Sequence, residues 1–139
     1  MRAAVLGTVC LIGVTAPALG ESAPDLAGKT VRVVIGSAPG GTYDLIGRAV
    51  SRHIGKHLPG NPNVVPQNMP GAGGLTAANY VYNVAPKDGT VIAISNKGIA
   101  GVALAGIAGA RFDATKITWL GTPFTETAVC FAYNSRAYR

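Results

Sequence analysis

His53 and His57 stand four residues apart, a spacing that turns both imidazoles to one side of a helix and would suit two ligands of one metal ion. Ile54 occupies the position where a metalloprotease motif carries its glutamate, no third ligand suggests itself, and Lys56 sets a positive charge beside the pair. Two histidines near a helix carboxyl end, where the dipole favours positive charge, have a simpler use, and no metal is expected. Nucleophiles are equally isolated. Ser37, Ser51, Ser95 and Ser135 are present, but none stands in a Gly-x-Ser-x-Gly elbow, and Cys130 lies in an apolar run that reads as an inert thiol. Asp44 and Asp88 have local uses, one at a helix start and the other in the turn Pro86-Lys-Asp-Gly89. No apparatus for transforming a substrate is visible.

What the sequence does supply is backbone. Val31-Arg-Val-Val-Ile-Gly-Ser-Ala-Pro-Gly-Gly-Thr-Tyr-Asp44 reads as a strand, a glycine-bearing loop and a helix amino terminus in immediate succession. Such a junction aims several N–H groups and the positive end of the helix dipole at one point, where an anion is the natural occupant. Thr42 is the expected N-cap, and Asp44 adds favourable charge to the first turn. A second glycine-rich loop follows at Met69-Pro-Gly-Ala-Gly-Gly74, and a third polar loop at Ser95-Asn-Lys-Gly98. Neither glycine loop has the spacing of a dinucleotide fingerprint, and no Gly-Lys-Ser/Thr phosphate loop occurs, so no cofactor is expected.

The elements that must position these loops alternate along the chain. Strands are expected over 30–35 and 90–94, both β-branched and apolar, with a short second strand between them over 63–68; further strands are expected over 117–120 and 128–133. Pro66 assigns the second strand to an edge or a bulge, because proline cannot donate to a ladder. Leu45, Ile46, Ala49, Val50 and Ile54 recur at helical spacing opposite Arg48, Arg52 and Lys56, and the breakers Pro59-Gly-Asn-Pro62 end that helix at Leu58. A second helix is expected from Leu75 to about Val84, packing through Ala77, Ala78, Val81 and Tyr82, and a glycine-laced helix is possible over 99–110. Strand and helix in alternation specify a parallel α/β sheet. Ligands of such sheets bind outside the strands' carboxyl ends, so the three loops are expected to converge on one place.

The first 20 residues read as a secretory signal peptide, with a short positive start at Met1-Arg2, an uncharged apolar run over 3–14 and a small-residue cleavage region ending at Gly20. The apolar run is too short to span a bilayer, and no membrane insertion is expected after cleavage. Cys10 lies inside the signal, leaving Cys130 alone in the mature chain and no intramolecular disulfide to form. Eleven Lys and Arg then face six Asp and Glu. They are scattered singly among few aromatics, which argues against nucleic acid, while the basic balance favours acidic small molecules or anionic surfaces.

Beyond this chemistry, the chain resembles the tripartite tricarboxylate transporter substrate-binding family, the Bug receptors. The resemblance rests on Val31 to Asp44 together with Gln67-Asn-Met-Pro-Gly-Ala-Gly-Gly74, Ala85-Pro-Lys-Asp-Gly-Thr90, Phe112-Asp-Ala-Thr-Lys116 and Trp119-Leu-Gly121. It implies a periplasmic receptor, not an enzyme, whose two α/β domains close on a small carboxylate and hand it to a membrane permease. Carried over by position, Ser37, Ala38, Gly40, Gly41, Thr42 and Asp44 of the first loop and Ser95 and Asn96 of the third would grip the carboxylate, with Gly71, Ala72 and Gly73 between them. The family often has an aromatic and further prolines ahead of its Gly-Gly, where this chain has Gly36-Ser-Ala38.

Members of that family run to about twice this length. The resemblance therefore implies the N-terminal part of a two-domain, periplasmic-binding-protein-like fold: a signal peptide over 1–20, an incomplete parallel-sheet lobe over 21–127, and over 128–139 the start of a crossover to a missing second domain. A lobe so shortened would carry an uncovered sheet edge and exposed apolar surface, as expected of a truncated copy. Two other readings stay open on the residues alone: part of an α/β hydrolase or transferase acting on an anionic substrate, and a fragment without function.

Overall fold

A computed structural model of the chain describes residues 25–125. The expected leader, the strand over 128–133 and the boundaries at 20/21 and 127/128 lie outside the described residues. The element order is β1 (Thr30–Ile35), α1 (Thr42–Ile54), β2 (Asn63–Asn68), α2 (Leu75–Asn83), β3 (Val91–Ile94) and α3 (Ile99–Leu104), with 3-10 turns at Gly55–His57, Ala72–Gly74 and Ala114–Lys116. The strands form one parallel sheet in the order β2-β1-β3, so the expected α/β class is observed.

β1 is central because its residues tolerate no water: Val31, Val33, Val34 and Ile35 are all 0% exposed. Val33 pairs with Pro66 on one side and with Ile92 on the other. β2 is an edge of this sheet, as Pro66 requires. The chain moves from β1 to β2 through α1, then passes back over β1 to β3 through α2. Right-handed crossovers in opposite directions put the two helices on opposite faces.

Each face is built from alternate residues of β1. Ile35 faces α1, which comes so close that a Cβ on Gly47 would stand 2.5 Å from Ile35 Cδ1. The buried stripe of α1 is accordingly Asp44, Gly47 and Ser51, with the Ser51 hydroxyl donating to the Gly47 carbonyl at 2.7 Å. Leu45, expected on the packing face, is 62% exposed, because the contact is made where the side chains are smallest. On the other face α2 buries Ala77 and Ala78 and covers Arg32, whose Nη2 donates to the Tyr80 hydroxyl at 3.0 Å. The one charge of β1 is therefore half-buried beneath a helix.

Beyond β3, Ala78, Ile99, Phe112 and Ala114 form a buried cluster, against which Tyr82 and Ile117 pack. Residues 117–120 form no strand: Trp119 is 55% and Leu120 76% exposed, and the Trp119 indole N–H donates to the Ala114 carbonyl at 2.9 Å. This segment is anchored to the turn before it and takes no place in the ladder. The possible helix over 99–110 shortens to Ile99–Leu104, where Gly106 and Gly109 take positive φ and end it. No described helix is long and apolar enough to cross a membrane.

Candidate functional site

The sheet's carboxyl edge is where the neighbouring strands last hold each other. Met69 N donates to the Ile35 carbonyl at 2.8 Å and Gly36 N to the Ile94 carbonyl at 2.9 Å, and past these bonds all three chains turn away as loops. In the first loop, Ala38, Gly40, Gly41 and Thr42 are exposed and Ser37 is half-buried. The N-cap of α1 is Gly41, not Thr42, and no side chain caps the helix. The reason lies one turn on. The Asp44 carboxylate reaches back to accept from Gly40 N at 2.8 Å, which pins the loop so that Thr42 already takes helical geometry. The amides of Thr42, Tyr43 and Asp44 then have no acceptor among the described residues. They stand at the positive end of a 13-residue helix, as an anion site requires.

Asp44 itself does not offer its carboxylate to the opening. It is 3% exposed and accepts from Gly40 N, from Arg48 Nε at 3.0 Å and from Asn68 Nδ2 at 2.8 Å. Asn68 also donates to the Ser37 carbonyl at 3.1 Å and accepts from Arg48 Nη2 at 3.0 Å. The Arg48 hydrogen bond first, then those of Gly40 and Asn68, hold the Asp44 carboxyl down to about 2. Asp44 is thus a charged brace joining the first loop, α1 and the end of β2. Arg48 and Asn68 belong to the site without having been expected there. Arg48 had a visible signal, an Asp–Arg pair four apart on a helix; Asn68 reaches the cluster only through the register that sets it opposite Ile35.

The other two loops pack directly on the first. A Cβ on Gly36 would stand 3.3 Å from both Gly74 Cα and Ser95 Oγ. Gly74 takes φ of 96°, and a Cβ there would come within 2.6 Å of Ser95 Oγ, so only glycine allows the loops this approach. The Asn96 side-chain amide donates to the Gly73 carbonyl, latching third loop to second. Ser95 Oγ is buried in the junction without a hydrogen-bond partner among the described residues. Gly71, Ala72 and Gly73 are exposed and line the rim, Ala72 at a φ of 44° that is uncommon for a residue with a side chain.

The structure therefore brings together the first loop, Gly71–Gly73 and Ser95–Asn96 at one sheet edge. Two of the named groups are turned inward, the Asp44 carboxylate as a brace and the Ser95 hydroxyl as packing. What faces outward is mainly backbone, suited to holding an anion by N–H groups. His53 lies in the last turn of α1 and His57 in the 3-10 turn that follows it, both exposed and at the end of the helix away from the loops. Among the described residues no group of three or more His, Cys, Asp and Glu is placed to hold a metal ion.

No family model matches the chain. Over 92 residues, 66% of its length, it is 33% identical to a protein of Cupriavidus necator named "UPF0065 protein in gbd 5'region". The matched segment spans 27% of that relative, so the chain is similar to about a quarter of it.

Proposed function

We propose that this chain is the carboxylate-gripping part of a Bug-type solute receptor, exported to the periplasm, which holds a small carboxylate and passes it to a membrane permease of the tripartite tricarboxylate type. The observation that carries the reading is the uncapped amino terminus of α1, with the amides of Thr42, Tyr43 and Asp44 unclaimed by any described acceptor beside two latched companion loops. The similarity to a UPF0065 protein supports it, since that name denotes Bug-like proteins. In this reading the first-turn amides donate to one carboxylate of the ligand, and the dipole of α1 stabilises its charge.

The test removes the first of these N–H groups, with Thr42→Val, which keeps the N–H and loses only the hydroxyl, as the control that should bind as the parent does. Thr42 is the first helical residue, where proline is tolerated, and Gly41 before it has the extended conformation (φ −79°, ψ 167°) that proline demands of its predecessor. Calorimetric titration of the full chain with di- and tricarboxylates such as succinate and citrate should show binding. Thr42→Pro should weaken it by about tenfold or more, since a hydrogen bond to a charged group contributes about 1.5–3 kcal/mol. Absence of binding by the parent chain, or equal affinity in Thr42→Pro, overturns the assignment.

A further inference from the structure

Arg32 is the one charge on β1, and among the described residues no carboxylate pairs with it. It stands between Val65 and Val91 in the sheet and is half-buried. Three of the four described aspartates are held by other cations: Asp44 by Arg48, Asp88 by Lys29 and Asp113 by Lys116. The fourth, Asp25, accepts from Ala27 N. What surrounds the Arg32 guanidinium instead is neutral. Its Nη2 donates to the Tyr80 hydroxyl at 3.0 Å and its Nη1 to Gln67 Oε1 at a longer 3.5 Å, and its Cζ lies 5.9 Å from the centroid of the Tyr80 ring. These contacts fix the fork in place without neutralising it.

They also leave donors over. A guanidinium has more N–H groups than these bonds use, the Tyr80 oxygen accepts and so keeps its own hydrogen free, and the Gln67 amide turns its oxygen to Arg32 and its NH2 elsewhere. Ser95 Oγ is the only buried side-chain atom without a partner among the described residues, so the unused Nε–H of Arg32 opens to solvent. A half-buried cation with spare donors around it and no acceptor calls for an anion.

We propose that Arg32, Tyr80 and Gln67 form a second anion site, whose ligand is a small tetrahedral oxyanion free in solution, of the class of phosphate and sulfate. Arg32 and Gln67 belong to neighbouring strands, whereas Tyr80 comes from α2, packed over the sheet. Donors at two levels suit oxygens arranged in three dimensions better than the flat pair of a carboxylate. The site is separate from the amides of α1, because Arg32 lies on the face of the sheet that α2 covers. It stands whether or not the α1 terminus binds a carboxylate.

The test is an NMR titration of the isotope-labelled full chain with sodium phosphate and sodium sulfate at constant ionic strength, with sodium acetate and sodium chloride as references. The side-chain signals of Arg32 Nε and Gln67 Nε2 should shift saturably with phosphate and sulfate, and acetate should bind about tenfold or more weakly. Backbone signals of residues 40–44 report the α1 terminus separately. Gln67→Glu sets a carboxylate of the chain's own against Arg32, so it should melt no lower than the parent and yet bind phosphate about tenfold or more weakly. Tyr80→Phe, which deletes only the hydroxyl, should weaken binding to a similar extent. Shifts at Arg32 and Gln67 that follow chloride as closely as phosphate would mean an ion atmosphere only and overturn the proposal. So would acetate binding as tightly as phosphate, a lower melt in Gln67→Glu, or parent affinity in either variant.

Discussion

The Asp44 carboxylate is where loop, helix and edge strand are tied together, and its acidity makes the tie testable. Hydrogen bonds from Arg48, Gly40 and Asn68 lower its pKa from 3.8 to about 2. A carboxyl acidified by folding contributes stability that is fully present above its unfolded value and is lost as pH falls through its folded value. Asp44→Asn should therefore melt below the parent by a constant margin at all pH values above 3.8, and the margin should close as pH approaches about 2. Thermal melts of both proteins across that range measure it; a margin unchanged at the acid end would show that the carboxylate is not the brace. At this scale the sequence is partly legible. The charge of Asp44 in a first turn is readable, as is its partner Arg48 one turn on. The reversal of roles is not, because whether a carboxylate faces a ligand or braces a loop depends on Asn68, 24 residues away and placed by strand register.

At the scale of elements, the packing of α1 on the sheet turns on Gly47. Alanine there gains about 0.8–1.0 kcal/mol in helix propensity. Its Cβ would lie 2.5 Å from Cδ1 and 2.7 Å from Cγ1 of a fully buried Ile35, and overpacking of this kind costs about 1–3 kcal/mol. The steric term wins, so Gly47→Ala should lower the denaturation midpoint. Ile35→Ala in the same chain should make the glycine substitution neutral or favourable, and additivity of the two would refute the contact. The strands around this contact are legible because β-branched runs end sharply at glycine loops, and the observed bounds of β1 and β2 are those expected. Hydrophobic periodicity misleads in two places. It assigns Leu45 to the packing face, whereas the close helix–sheet approach selects the small residues Gly47 and Ser51. It also reads 117–120 as a strand from composition alone, although strand formation needs a partner edge, and Trp119 is instead tied to Ala114.

Over the whole molecule, the parallel sheet makes one working end out of loops far apart in sequence. Topology foretells their convergence, since every strand of a parallel sheet delivers its carboxyl end to the same side. Their coupling comes from side chains: Asn68 and Asp44 join the first loop to β2, Asn96 joins the third loop to the second, and Gly36, Gly74 and Ser95 are in contact at the centre. A carboxylate held by the amides of α1 should therefore stabilise the end as one body. At a ligand concentration one hundred times Kd the gain in folding stability should be about 2.7 kcal/mol, read as a rise in Tm. Hydrogen exchange should then slow together in residues 37–42, 71–74 and 95–98, while the turn at 86–89, at the amino end of β3, keeps its rate. Slowing confined to 37–42 would mean that the ligand touches a single helix terminus. Slowing in all three loops would place the grip where β1, β2 and β3 end, as a receptor that must sense its ligand across a lobe requires.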